Sequence, residues 1–330
     1  MSVLRVFAGV SVIAAVVASS RPQWQLPADE HLSHMSAADL AAPMVAGSGR
    51  QGAANLPASA NNAAARLQAS PRHAEWVKVA WEPGSKDSLM AWVVYPSTPR
   101  AKSPVVVVVH EIFGLSTWVR AVADQVAAEG FIAIAPDLNS RVRGGPSTVE
   151  LSGDSARKII AGVNSDERNR GIAAVASYAM AQPSADHKYA VIGYCWGGQT
   201  VFFHVINGGV TGFAGGVAFY GLPYMTPAAP GTVSTPIRDS LAKIKTPVML
   251  LNGSQDARIA SAMPGLDSAL KALHKDYTGK NYEGAVHGFL RAQDDPKPTR
   301  DPTEEAANLA AAKDAWPRTV AFLKKNLGVK

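Results

Sequence analysis

Residues 189–203, YAVIGYCWGGQTVFF, decide the fold, because they join a predicted strand to a predicted helix through a sharp turn. Within them, residues 193–197 match the pattern G-x-S-x-G with Cys195 in the serine position. This pattern between a strand and a helix is typical of a nucleophile elbow, whose glycines let neighbouring backbone approach closely. A buried structural thiol is the alternative for a free cysteine. The glycine spacing and its context favour a nucleophile.

Outward from this turn, predicted strands alternate with predicted helices. The apolar runs at 104–109 and 131–135 are typical of strands buried on both faces of a parallel sheet. Between them, residues 116–130 have helical periodicity, a Ser/Thr start and a Gly stop. The alternation predicts an α/β fold with a mainly parallel, doubly wound sheet and helices on both faces. Loops after the carboxyl ends of the strands should meet at one edge, where such sheets bind ligands.

Five further patterns complete the prediction. An opening hairpin is indicated at 74–96, a helix at 166–183, and two more strands within 212–221 and 246–256. A closing helix is predicted at 304–327, in which Pro317 should introduce a kink or a break.

The N-terminal region has a different composition from the rest of the chain. Residues 1–20 carry Arg5, an apolar stretch and small residues at the end, which predicts a cleaved Sec-type signal peptide. The apolar stretch is short against the roughly 20 residues of a spanning helix, although an uncleaved anchor is the alternative. Residues 21–75, rich in Ala, Ser, Asn, Gly and Pro, predict a flexible extension with short helical turns. Residues 76–330 then form the folded domain.

These features predict a secreted or periplasmic protein that is not inserted in a membrane after signal cleavage. The formal charge is +6 and the pI about 9.4, yet no run of five Lys or Arg occurs. Scattered basic residues favour a solvated surface over a nucleic-acid partner. A single cysteine excludes an internal disulfide and a zinc site built from several thiolates. We expect a monomer that acts on a small molecule.

A thiol nucleophile needs a base and an orienting acid, and the chain supplies both in order. Asp256 follows a predicted strand, and His287 lies in the loop sequence GAVHGF. The order nucleophile, acid, base is the one found in folds with a nucleophile elbow. A carboxylate at Asp256 can hold the imidazole in the required tautomer. Alone, Asp256 reads as a turn residue and His287 as a surface histidine; His204 and His274 compete weakly as the base.

Five motifs in register now support a resemblance. They are HEIFGL (110–115), APDL (135–138), GYCWGG (193–198), GSQD (253–256) and HGFLR (287–291). Over roughly residues 76–330 the chain resembles the dienelactone hydrolase (carboxymethylenebutenolidase) family of the α/β-hydrolase superfamily. The resemblance implies an α/β-hydrolase fold and cleavage of ester or lactone bonds in small acids. It implies no metal and no organic cofactor.

The resemblance also implies roles for residues near the thiol. Glu111 would contact the resting Cys195 and accept the thiol proton when substrate binds, which is chemically reasonable because burial favours a protonated carboxyl group. The backbone N–H groups of Ile112 and Trp196 would hold the oxyanion.

Two arginines match the substrate-carboxylate anchors of the family, namely Arg141 and Arg291. The planar guanidinium suits this task because it binds a carboxylate bidentately. Arg143 is a close competitor of Arg141. The stretch VRGGPSTV (142–149) lacks the aromatic pocket residues of family members, which predicts a wider or differently shaped pocket.

The leading hypothesis is a Cys-His-Asp ester or lactone hydrolase that works through an acyl-thioester intermediate. Two other classes remain open: a non-catalytic binder of an acidic ligand, and a thiol redox protein. The redox alternative is disfavoured because the chain has no resolving cysteine and no C-x-x-C motif. The same fold could also act on thioesters or amides.

Overall fold

The computed structural model describes residues 55–97, 102–147, 153–229, 231–294 and 302–329. The predicted signal peptide and the predicted extension up to residue 54 lie outside the described residues, so both remain predictions.

The described residues form eight strands and nine helices. The strands are β1 (Ala74–Ala80), β2 (Ser88–Val94), β3 (Ser103–Val109), β4 (Ile132–Asp137), β5 (Ala185–Tyr194), β6 (Phe213–Phe219), β7 (Val248–Gly253) and β8 (Tyr277–Tyr282). The helices are α1 (Ala63–Gln68), α2 (Thr117–Ala128), α3 (Ser140–Arg143), α4 (Gly153–Ile160), α5 (Ser165–Met180), α6 (Trp196–Asn207), α7 (Arg238–Ala242), α8 (Ala257–Ala272) and α9 (Pro302–Leu327).

All eight strands belong to one sheet in the order β1-β2-β4-β3-β5-β6-β7-β8. Strand β2 is antiparallel to both of its neighbours, and every other pairing is parallel. The predicted hairpin and the predicted mainly parallel α/β sheet are therefore confirmed. Because β3, β5, β6 and β7 run in the same direction, their carboxyl ends lie along one edge.

The centre of the sheet is apolar on both faces. Every residue of β3 and of β4 is buried, so both faces of these strands are covered, as the β-branched runs predicted. Helix α2 starts where the sequence indicates, since the Ser116 side chain accepts a hydrogen bond from the Val119 N–H. This cap fixes the start of the helix directly after the loop that carries Glu111.

Two features near the C-terminal half differ from the sequence prediction or extend it. Strand β8, YTGKNY, is a polar and half-exposed edge strand, so it lacks the apolar run by which the other strands are found. Helix α9 continues through Pro317 as a single element, so it is not broken there, and the alternative of a kink stays a prediction.

The described part of the predicted extension is packed on the domain. Residues 55–73 include α1, and Leu56, Ala58 and Ala63 are buried. The expectation of a flexible tether is therefore wrong for this stretch. Its alanines are small enough to pack closely against the domain, whereas an alanine-rich composition by itself does not distinguish a packed segment from a linker.

No helix within the described ranges is both long enough and apolar enough to cross a membrane.

Gly198 tests how tightly α6 packs on the sheet. A Cβ at this position would collide with the Phe219 carbonyl oxygen, which is backbone and cannot move aside. Alanine is the better helix former, so propensity alone predicts that Gly198→Ala stabilises the fold by about 1 kcal/mol. We expect the collision to reverse this sign and to lower the free energy of unfolding in urea by about 1–3 kcal/mol.

Gly145→Ala is the matched control, because nothing lies within 4 Å of its Cβ position. It should change the free energy of unfolding by less than about 0.5 kcal/mol. Equal effects of the two substitutions would contradict this description of α6.

Candidate active site

Cys195 occupies a strained turn between β5 and α6. Its backbone has φ 58° and ψ −117°, in the region that non-glycine residues rarely adopt. The Cys195 N–H donates to the Phe219 carbonyl at 3.0 Å, which anchors the turn to β6. A Cβ at Gly197 would lie 2.5 Å from the carbonyl oxygens of both Val109 and His110. The second glycine of the motif is therefore required, because backbone passes where a side chain would begin.

The two backbone donors predicted for an oxyanion lie on the two segments that meet at this close approach. Trp196 is the first residue of α6, so its N–H belongs to the donors that have no partner within the helix. Ile112 lies in the loop after β3, whose Val109 and His110 carbonyls face Gly197. Both residues are buried, and the partial positive charge of the helix N-terminus favours an anion here.

Asp256 is held in two directions at the start of α8. One carboxylate oxygen accepts a hydrogen bond from the Ile259 N–H at 3.3 Å and so caps the helix. The other oxygen lies 2.6 Å from Nδ1 of His287. Burial acts to raise the pKa of Asp256, but the hydrogen bond and charge of His287 outweigh it and hold the pKa below its ordinary value. Asp256 is therefore an ionised acceptor that fixes the imidazole.

His287 lies between Asp256 and Cys195, on the loop after β8. Burial acts to lower the pKa of His287. The charge of the Cys195 sulfur and the hydrogen bond with Asp256 outweigh burial, and the pKa is raised well above its ordinary value. The three residues predicted as nucleophile, acid and base are therefore neighbours in the structure.

Glu111 and Arg291 form a buried ion pair beside this group. Their Oε2 and Nε atoms lie 3.2 Å apart, and their side chains are 2% and 9% exposed. The Arg291 guanidinium also lies 5.6 Å from the ring centre of Phe113. The pair connects the loop after β3 with the loop that carries His287.

The structure does not bring Arg141 to this group. Its guanidinium contacts Asp87 at 2.5 Å and Glu167 at 2.6 Å, and it stacks on Trp81 at 4.5 Å. Two carboxylates already neutralise this arginine, so the expectation that it anchors substrate is not supported by its position. Arg143 differs, because its buried Nη1 has no hydrogen-bond partner among the described residues and its charge acts on His110.

The two competing histidines have other roles. Nε2 of His204 lies 2.9 Å from the Tyr189 hydroxyl within the core, and burial lowers the pKa of His204 to about 3. His274 is exposed at the end of α8 with φ 50°. Neither residue can serve Cys195.

Tyr220 is a site residue that the sequence did not reveal. It follows β6 as Cys195 follows β5, has φ 39°, and its ring centre lies 4.8 Å from that of His287. Burial is the main cause of its pKa being raised well above the ordinary value, and its hydroxyl has no hydrogen-bond partner among the described residues. The only signal was its place at the carboxyl end of a strand, in the sequence FYG.

The side chains of His110, Trp196 and Arg168 form a stack next to the elbow. The Trp196 ring lies parallel to His110, with centres 5.5 Å apart, and the Arg168 guanidinium lies 4.0 Å from the Trp196 ring centre. Arg168 is buried, donates to Gln199 at 3.0 Å, and its pKa is lowered by burial to about 9. The stack joins the loop after β3 to the start of α6 through their side chains.

The sheet order and the strand–elbow–helix turn define the α/β-hydrolase class. Solved structures agree with this fold. A crystal structure assigned as a dienelactone hydrolase from Klebsiella pneumoniae aligns with TM-score 0.61 and 24% identity, over 77% of this chain and 99% of that one. An acylaminoacyl peptidase from Pyrococcus horikoshii aligns with TM-score 0.53 and 14% identity, over 81% of this chain and 44% of that one.

Sequence comparisons give the family. The model of the dienelactone hydrolase family matches residues 89–327. A Synechocystis protein assigned as a carboxymethylenebutenolidase is 30% identical over 234 residues, which cover 68% of this chain and 87% of the relative. An Escherichia coli protein with the same assignment is 27% identical over 254 residues, covering 75% and 86%. The chain belongs to the dienelactone hydrolase family, and it is a hydrolase of ester or lactone bonds.

The raised pKa of His287 gives a direct test of its contact with sulfur. Cys195→Ala removes the leading cause of the increase, so burial should then bring the pKa of His287 down. Heteronuclear NMR of the imidazole nitrogens against pH measures this. We expect the wild-type imidazole to stay protonated to higher pH than the imidazole of the variant. Identical titration curves would contradict the contact.

Proposed function

We propose that this hydrolase cleaves esters or lactones of small, carboxylate-bearing molecules through Cys195, His287 and Asp256. One observation carries the proposal: a cysteine with φ 58° at a strand–helix elbow lies beside an imidazole that Asp256 holds at 2.6 Å. A structural thiol requires neither the strained turn nor the oriented base.

In the acylation step, the Cys195 thiolate attacks the carbonyl carbon of the substrate and the carbonyl oxygen becomes an oxyanion. The N–H groups of Ile112 and Trp196 donate to that oxyanion. The imidazolium of His287 gives its proton to the leaving alkoxide, the carbon–oxygen ester bond breaks, and an acyl-thioester remains on Cys195. In a lactone the alkoxide stays attached to the acyl group.

Deacylation uses the same groups in reverse. Neutral His287 takes a proton from water, and the resulting hydroxide attacks the thioester carbon. The second oxyanion collapses, the carbon–sulfur bond breaks, and the carboxylic acid leaves with Cys195 restored. Asp256 keeps Nδ1 of His287 as the donor throughout, so Nε2 faces the reacting atoms.

Glu111 is proposed to hold or release the proton of the thiol. In the structure Arg291 occupies one of its carboxylate oxygens at 3.2 Å. A substrate carboxylate that draws Arg291 to itself would leave Glu111 with less positive charge beside it. Glu111 would then accept the thiol proton more readily, so substrate binding and nucleophile formation are coupled.

Arg291 is proposed as the first anchor for the substrate carboxylate, and Arg143 replaces Arg141 as the second. The support for this exchange is the unpartnered Nη1 of Arg143 against the two carboxylates that occupy Arg141. The predicted secretion, the monomeric state and the fate of the signal peptide stay predictions.

Loss of the sulfur tests the nucleophile. Cys195→Ala should lower the rate of 4-nitrophenyl acetate hydrolysis at least about a thousandfold, because no other group can form the acyl intermediate. Thermal unfolding of the variant should remain close to that of the wild type. A fully active and folded variant would rule out Cys195 as the nucleophile.

A pair of esters tests the arginines. The 4-nitrophenyl esters of succinic acid, which keeps one carboxylate, and of butyric acid, which has none, are compared in steady-state assays. Arg143→Gln should lower kcat/KM for the succinate ester about tenfold, as expected for a lost charge-assisted hydrogen bond, and change the butyrate ester little. Arg141→Gln is the matched control and should leave both values unchanged. The opposite ranking of the two variants would restore Arg141 as the anchor.

A further inference from the structure

Residues 55–73 lie across two segments that carry the proposed active site. One segment is residues 287–294, which includes His287 and Arg291. The other is α2, which follows the loop of Glu111 and Ile112. Residues 55–73 also precede the region 89–327 that the family model matches. They are therefore an addition to the part of the chain that defines the family.

Five hydrogen bonds join this stretch to residues 287–294, and three of them use backbone carbonyls as acceptors. Those three run from the Ala60 N–H to the Arg291 carbonyl at 2.9 Å, from the Gln293 amide to the Pro57 carbonyl at 3.0 Å, and from the Asn61 amide to the Asp294 carbonyl at 2.8 Å. The Asp294 carboxylate accepts the other two, from the Asn61 amide at 3.4 Å and the Asn62 amide at 3.2 Å. The backbone of Arg291 is therefore hydrogen-bonded directly to residues 55–73, through Ala60.

Five further hydrogen bonds join the stretch to α2. At the start of this helix, the Trp118 indole donates to the Ala58 carbonyl at 2.7 Å. In its second half, Arg66 donates to Gln125 at 2.5 Å, and Asp124 accepts one bond from Ser70 and two from Arg72, at 2.5–2.9 Å. Trp118 is fully buried and meets the ring of Tyr194 edge-on, with centres 4.9 Å apart. Tyr194 directly precedes Cys195, so the contact reaches the elbow.

The stretch is built to keep one conformation. The Asn62 side chain accepts a hydrogen bond from the Ser59 N–H at 3.0 Å, and both residues are buried. Leu56, Ala58 and Ala63 are buried as well, so the stretch contributes apolar surface to the core. A segment that only links a leader to a domain has no need of these contacts.

We propose that residues 55–73 form a clasp that holds residues 287–294 against α2 and thereby positions His287 and Arg291 opposite Glu111. The clasp acts through these residues and does not itself touch the reacting atoms. Its effect on catalysis rests on the proposed function, since that function assigns the roles of His287 and Arg291. Its effect on the structural order of residues 287–294 is independent of the proposed function.

The test uses the full chain with Asn61→Ala and Asn62→Ala combined, which removes the side-chain bonds to Asp294. Asn326→Ala is the matched control, because the Asn326 amide donates only within α9, to Phe322. Hydrogen exchange is followed by mass spectrometry on peptides that cover residues 287–294. Hydrolysis of the 4-nitrophenyl esters of succinic and butyric acid is measured on the same samples. If the double variant unfolds, Asp294→Asn weakens the same contact with little change of shape.

The double variant should exchange about fivefold to tenfold faster at residues 287–294, as expected for the loss of the hydrogen bonds that two side chains donate to Asp294, and the control should not. Its kcat/KM for the succinate ester should fall more than that for the butyrate ester, because Arg291 is then less well positioned. Unchanged exchange, or faster exchange with both kcat/KM values unchanged, would overturn the proposal. A wild type that cleaves neither ester would refute the proposed function. Hydrogen exchange at residues 287–294 would still test whether the clasp orders them.

Discussion

The site depends on the close contact between the N-terminal end of α6 and the end of β3. A Cβ at Gly197 would lie 2.5 Å from two carbonyl oxygens, and a Cβ at Gly198 would collide with the carbonyl oxygen of Phe219. Because these two glycines have no side chains, the helix N-terminus comes up to the loop that carries Glu111 and Ile112. The strained backbone of Cys195 is a consequence, since the chain must turn from β5 into α6 within one residue.

Two pairs of charged groups are buried around this contact. Asp256 is paired with His287, and Glu111 with Arg291, at 2.6 and 3.2 Å. Burial alone would disfavour every one of these charges, and pairing offsets that cost. A substrate carboxylate that competes for Arg291 would disturb one pair and leave the other intact.

The sheet and the central site residues could be predicted because their signals are local. Continuous β-branched runs indicate buried strands, and the glycine spacing around Cys195 indicates an elbow whatever the rest of the chain does. The positions of Arg141, Tyr220 and residues 55–73 could not be predicted, because each depends on contacts between distant parts of the chain. Arg141 is neutralised by residues 54 positions before it and 26 positions after it. The alanine-rich clasp resembles a linker in composition, and only its packing distinguishes it.

The central claim is that Cys195 carries the acyl group, and the chain offers an unambiguous test because it has one cysteine. The protein is mixed with a slowly hydrolysed ester, quenched in acid within the first turnovers, digested, and analysed by mass spectrometry. The peptide that contains residues 189–203 should carry the mass of the acyl group, and hydroxylamine should remove it as expected for a thioester. Steady hydrolysis with an unmodified Cys195 peptide, or with the acyl group on another residue, would contradict the account.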